Sequence, residues 1–138
     1  MAFELDISAA SRGIIRIADF PDLAREPIRQ ALKEVADAVR ADAASAITHA
    51  GRSRPGQPPA SDSGALLRSL RTRLARSRKR DERAYAIAPE FYGFMLESGT
   101  RRIRPRPFIV PAAQRHLGDF TSRIQAAVEA AVQRANAA

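Results

Sequence analysis

Phe3, Leu5 and Ile7 alternate with Glu4 and Asp6, the period-two pattern of a half-buried strand. Ser11-Arg12-Gly13 is a turn signal, and Ile14-Ile15-Arg16-Ile17 reads as a second strand, so the two are expected to form a hairpin. The period then changes. Ile28, Leu32, Val35, Val39, Ala43 and Ile47 recur at spacings of three and four, which predicts one long amphipathic helix. Pro27 is tolerated in its first turn, Asp19 or Asp22 can cap it, and Gly51 is a natural stop. Residues 51–62 hold three prolines and two glycines with almost nothing apolar, which predicts an exposed, mobile loop.

Asp62-Ser63-Gly64 can cap a short helix carrying Ala65, Leu66, Leu67 and Leu70. From Arg71 to Ser77 the pattern alternates again, Thr72 and Leu74 facing one way and Arg71, Arg73 and Ala75 the other. Tyr85 and Ile87 alternate with small residues, and the polar stretch before them suits a hairpin tip. Phe91, Tyr92, Met95 and Leu96 have helical spacing closed by Gly99. Thr100–Arg106 is expected to run extended under Pro105 and Pro107. Pro111 suits the first turn of a last helix striped by Leu117, Phe120, Ile124, Val128, Ala131 and Ala135. The expected fold is a single α+β domain over residues 1–138: a small antiparallel sheet of about four strands, with two long helices packed on one face.

Charge adds a second pattern. The chain carries a net +8, and residues 52–106 hold 14 basic against 5 acidic residues. The remainder is close to neutral, and all but two of the basic residues are arginine. Guanidinium groups grip carboxylates and phosphates in a planar fork, so the basic middle implies an acidic partner. Much of the apolar fraction is alanine, which buries little per residue, so a thin core helped by a partner subunit is expected. The chain lacks cysteine, which excludes disulfides, thiol nucleophiles and Cys-based metal sites. No segment is apolar enough for a membrane span, and no secretory signal is visible.

Catalytic signals are poor. His49 and His116 lack a second ligand at metal spacing, and Ser61, Ser63 and Ser69 lack a nucleophile-elbow setting. Glu90 and Glu97 share helical spacing as any surface helix does, and Glu97, just before the Gly99 turn, can accept hydrogen bonds from the turn backbone or from an arginine. The expectation is a non-enzyme with no cofactor and no metal. Two arginine clusters remain as contact candidates. The first is Arg71, Arg73, Arg76, Arg78, Lys79, Arg80 and Arg83; the second is Arg101, Arg102, Arg104 and Arg106. Aromatics for base stacking are sparse around the first, which favours an acidic protein neighbour over DNA.

Three elements then carry a resemblance. Ser63-Gly64-Ala65-Leu66 with Ser69 follows a proline-rich loop. Tyr92 with Glu97-Ser98-Gly99-Thr100 closes an aromatic-rich helix. Pro107-Phe108-Ile109-Val110-Pro111-Ala112 opens the long final helix. In this order and spacing they resemble the tail-completion, neck or head–tail joining proteins of lambdoid and related long-tailed bacteriophages, over about half the chain. Arg101–Arg106 is more basic than that family's pattern. The resemblance implies a structural virion protein, made in the host cytoplasm, that closes into a ring at the neck and completes the tail or joins it to the head. The implied partners are copies of itself and neighbouring portal-side adaptor, tail-tube or terminator proteins, with non-specific contact to passing DNA and no membrane. The alternative is a basic protein that binds nucleic acid non-specifically.

Overall fold

The computed structural model describes residues 2–6, 12–18, 22–47, 53–60, 64–75, 81–87 and 91–137, with side chains at 22, 24–47, 53–60, 64–75, 95–116 and 118–137. Two strands open the chain, β1 (Ala2–Asp6) and β2 (Arg12–Ala18). A 3-10 turn at Asp22–Ala24 leads into α1 (Arg25–Ala46). After it come α2 (Ala65–Ser69), β3 (Arg71–Leu74), β4 (Asp81–Ile87), α3 (Phe91–Ser98) and α4 (Ile109–Ala137). The strand backbones pair antiparallel in the order β1-β2-β4-β3, so β1 and β3 are the two edges. Asp6 pairs with Ile14, Ile14 with Tyr85, and Tyr85 with Arg73, which sets one transverse row.

The expected α+β fold, a small sheet with both long helices on one face, needs correction. Of the residues with described side chains, 70% are helical and 6% extended, and β3 is the one strand among them. The core is likewise helical. Ile28, Ala31, Leu32, Val35, Ala36, Val39 and Ala43 of α1 are buried, with Ile109, Phe120, Ile124 and Ala131 of α4. Nor do the two helices lie side by side on the strands. α1 packs over β3 and β4, while α4 packs along α1 and meets the strands only weakly, at β2. A buried stripe as wide as that of α1 serves two neighbours at once: Ala36 lies beside β3, and Glu34 and Asp42 at the other margin meet α4.

Local boundaries differ in readable ways. α1 starts at Arg25, two residues ahead of the expected Pro27, and Ala24 at its N-cap makes no side-chain bond. Asp22 pairs instead with Arg25 at 3.5 Å. The helix ends at Ala46 because Ile47 turns extended (ψ 118°) and buries its side chain; Asp19 and Gly51 lie outside the described residues. β3 stops at Leu74, short of the expected Ser77. Ala135, expected in the apolar stripe, is exposed, since the last turns of α4 outrun the core.

Ion pairs register α4 antiparallel to α1. Arg123 joins Glu34 at 3.1 Å and Asp119 at 3.0 Å. Arg115 Nε donates to Asp42 Oδ2 at 2.8 Å, and His116 Nε2 lies 3.4 Å from the same oxygen. The Arg115 hydrogen bond, aided by the charges of Arg115 and His116, holds the Asp42 carboxyl below the usual aspartate range despite its partial burial. A lowered folded pKa gives stability that is complete above the ordinary value of about 3.9 and is lost as pH falls below it. Asp42→Asn should therefore destabilise at neutral pH by at most about 1 kcal/mol, because the pair is partly exposed. Thermal melts of both proteins should differ at pH 7, and the difference should shrink as pH falls below the ordinary aspartate range of about 3.9.

Candidate functional site

Glu97 sits in the last turn of α3 and is the one buried charged residue among those described. Its Oε2 accepts from the backbone N–H of Phe108 (3.0 Å) and Ile109 (3.1 Å), and its Oε1 accepts from that of Val110 (2.9 Å). These are the first donors of α4, which a helix leaves without partners of its own. The next residue is Pro111, which has no N–H to satisfy. One carboxylate thus takes every donor from 108 to 110, at the end of the helix where negative charge is favoured. The sequence reading allowed Glu97 to accept from backbone or from an arginine; the partners are backbone.

The segment between Glu97 and Phe108 is wound tightly. Gly99 donates to Met95 O at 2.8 Å with φ +75°, the left-handed helix ending expected of it. A Cβ there would lie 2.8 Å from Pro105 Cδ and 2.9 Å from Ile103 O. Thr100 donates its backbone N–H to Ile103 O at 2.7 Å, and its Oγ1 accepts from Arg102 N (3.2 Å) and Ile103 N (3.0 Å). Arg106 N reaches back to Leu96 O at 2.6 Å. Residues 100–103 therefore curl where an extended run was expected, because the Thr100 hydroxyl and the Gly99 turn close them before Pro105 acts.

This clamp presents the second arginine cluster. Arg101, Arg102 and Arg104 are exposed, whereas Arg106 is half-buried and its Nε is buried without a hydrogen-bond partner. Beside them lie residues 53–60 of the loop expected to be mobile. Gly56 N donates to Pro105 O at 2.9 Å, Gln57 N to Arg54 O at 3.0 Å, and Pro59 is fully buried. The two proline-containing loops form one surface. The sequence announces the turn at Pro55-Gly56 but not its neighbour, since that contact joins residues 49 positions apart (Gly56 and Pro105).

The other candidates fall as follows. Arg71 and Arg73 are exposed on β3, while Arg78 and Arg80 lie outside the described residues, as does Ser63. Gly64 is the N-cap of α2 at φ 74°, and Leu66 is buried. Tyr92 belongs to α3, and its side chain is outside those described. Pro107 is half-buried, Phe108 is 1% exposed, and Pro111 lies in the first turn of α4. His116 stands beside Asp42, and His49 is outside the described residues. Sequence reasoning missed Asp37, whose Oδ1 accepts from Thr72 Oγ1 at 2.6 Å and so fixes β3 to α1. The signal was a threonine on the inward-facing register of a strand. Among the described residues, no helix is long and apolar enough to cross a membrane. Comparison with known proteins gives no match: no family model, no curated protein and no solved structure shows significant similarity to this chain.

Two substitutions test the clamp. Glu97→Ala should cost about 2–4 kcal/mol, because three backbone donors lose a charged acceptor. Glu97→Gln should recover only part of this, its amide nitrogen facing a donor. Chemical denaturation measures both, and a Glu97→Ala loss below about 0.5 kcal/mol would remove the clamp from the account. Phe108→Ala should cost about 3–5 kcal/mol, the loss expected of a fully buried aromatic.

Proposed function

We propose that this chain is a structural protein of a tailed phage or phage-like particle, one that assembles into a ring at the neck and completes the tail or joins it to the head. One observation carries the reading. The residues behind two separate elements of the phage-protein resemblance, Glu97-Ser98-Gly99-Thr100 and Pro107-Phe108-Ile109-Val110, meet in a single clamp around the arginine loop. Motif residues that fix the shape of a connecting loop, and leave its arginines exposed, suit a docking surface better than a reaction centre. The buried alanines of α1 and α4 suit the same reading, because small core side chains bury little area and such a subunit gains stability from neighbours.

The exposed guanidinium groups of Arg101, Arg102 and Arg104 also fit the second reading, a sequence-independent nucleic-acid contact. Electron microscopy of a lysate from a phage carrying a stop codon in this gene separates the two. Filled heads apart from tails, or tails of abnormal length, are expected. Normal infectious particles would overturn the proposal. Retention of the pure protein on DNA that falls steeply between about 50 and 200 mM salt would then favour the nucleic-acid reading.

A further inference from the structure

The two loops that meet at Gly56 and Pro105 carry positive charge that the fold does not neutralise. Residues 53–60 and 98–107 hold Arg54, Arg101, Arg102, Arg104 and Arg106 and no acid. Arg54, Arg101, Arg102 and Arg104 are exposed, and among the described residues none of the five pairs its side chain with an acid or a hydrogen-bond acceptor. The Nε of Arg106 is buried and unpartnered too. Glu97, the acid closest in sequence, is already committed to the backbone donors of α4.

An apolar side chain stands at the centre of this charge. Ile103 lies between Arg102 and Arg104 and is 39% exposed; among the described residues only Val132, near the far end of α4, is a large apolar side chain as exposed. Ile103 is held firmly in that position. Its N–H donates to Thr100 Oγ1 at 3.0 Å, and its carbonyl accepts from Thr100 N at 2.7 Å. The Gly99 turn lies against the same carbonyl, which a Cβ at 99 would approach to 2.9 Å. Pro55 and Pro105 are exposed on the same pair of loops. A rigid apolar tip within a charged rim has the layout of an interface anchor, buried by the partner while the rim stays polar.

We propose that this double loop docks an acidic segment of a different protein, one with apolar side chains among its carboxylates. Ile103 meets the apolar part, and Arg54, Arg101, Arg102 and Arg104 pair with the acids around it. The proposal rests on the reading of the loop as a docking surface and names what docks there. Guanidinium forks suit carboxylates, and a loop fixed in advance loses little freedom on contact. A phosphodiester backbone would satisfy the arginines but would leave Ile103 without an apolar neighbour. A second copy is short of acids. Among the described side chains Asp22, Glu34, Asp37, Asp42 and Asp119 are already paired and Glu97 is buried, which leaves Glu26 and Glu129 against five arginines.

The test follows the fluorescence anisotropy of labelled probes on the full chain at about 150 mM salt, where long-range charge is screened. The probes are a glutamate-rich copolymer with leucine, polyglutamate of the same length, and a mixed-sequence DNA duplex. The copolymer should bind roughly tenfold more tightly than polyglutamate, the factor expected from burying the exposed part of one isoleucine. Ile103→Ser should bring the copolymer down to the polyglutamate level, and Ile103→Leu should keep the preference. Thr100→Val keeps every charge but frees the Ile103 backbone, so it should lose most of the preference while polyglutamate binding stays. Arg101→Gln/Arg102→Gln/Arg104→Gln should weaken both peptides. Equal binding of the two peptides, or a preference that survives Ile103→Ser, would overturn the proposal. So would tighter binding of the DNA than of the copolymer, or an oligomer that Ile103→Ser dissolves with no probe present, which would make the occupant a second copy. The stop-codon phage is scored separately. Heads apart from tails with no copolymer preference would remove this proposal and leave the neck reading; normal particles with the preference intact would do the reverse.

Discussion

The carboxylate of Glu97 is the constraint on which the described structure turns. It belongs to the end of one helix and satisfies the beginning of another, eleven residues on. A helix start buried without partners costs the desolvation of its N–H groups. Here that cost is met by a single side chain that must itself be buried to reach them. The two costs cancel only if α3, the loop and α4 keep their relative placement, so the loop between them cannot relax without exposing both. Gly99 and Thr100 complete the arrangement by closing the loop over so short a path that a β-carbon at 99 would collide with Pro105.

Much of this was legible in the chain. The α1 stripe from Ile28 to Ile47 is buried as its spacing predicts, and so are Phe120, Ile124 and Ala131 of α4. Gly99 takes the left-handed conformation that its position after a short helix suggests. Pattern alone, however, says which face of a helix is apolar and not what covers it. The stripe of α1 was read as facing a sheet, and it faces both strands and α4, because its alanines make it wide enough for two neighbours. The clamp itself was half legible. A glutamate before Gly-Thr reads as an acceptor, but its donors belong to a helix that begins only after the loop has turned back. The Thr72–Asp37 and Gly56–Pro105 bonds lie beyond periodicity for the same reason, since each joins positions 35 or more apart.

The arginines are best understood together with the acids they lack. On α1 and α4 the acidic residues Glu34, Asp37, Asp42 and Asp119 each have a basic partner within the chain. The Glu34 and Asp42 pairs register the helices, and all four use up local negative charge. Arg101, Arg102 and Arg104 stand exposed on a loop closed by the backbone bonds of Thr100 and Arg106 and by the Thr100 hydroxyl. Four arginines within six residues repel one another, so a flexible chain would spread them. Holding them on a closed turn keeps the positive field concentrated in one place.

That rigidity has a consequence for association. A flexible arginine arm loses conformational freedom when it docks, and this loss subtracts from the free energy of binding. A loop shaped in advance by Glu97, Gly99, Thr100 and the docked 53–60 turn has already met most of the backbone part of that cost during folding. Only side-chain ordering is left for the moment of contact. The folding free energy that fixes the turn is thus drawn from the same buried residues, Phe108 and Ile109, that anchor the start of α4 in the core. Core packing and partner recognition are then not separable in this chain: a change that loosens the helix start also loosens the arginines, even where it touches none of them.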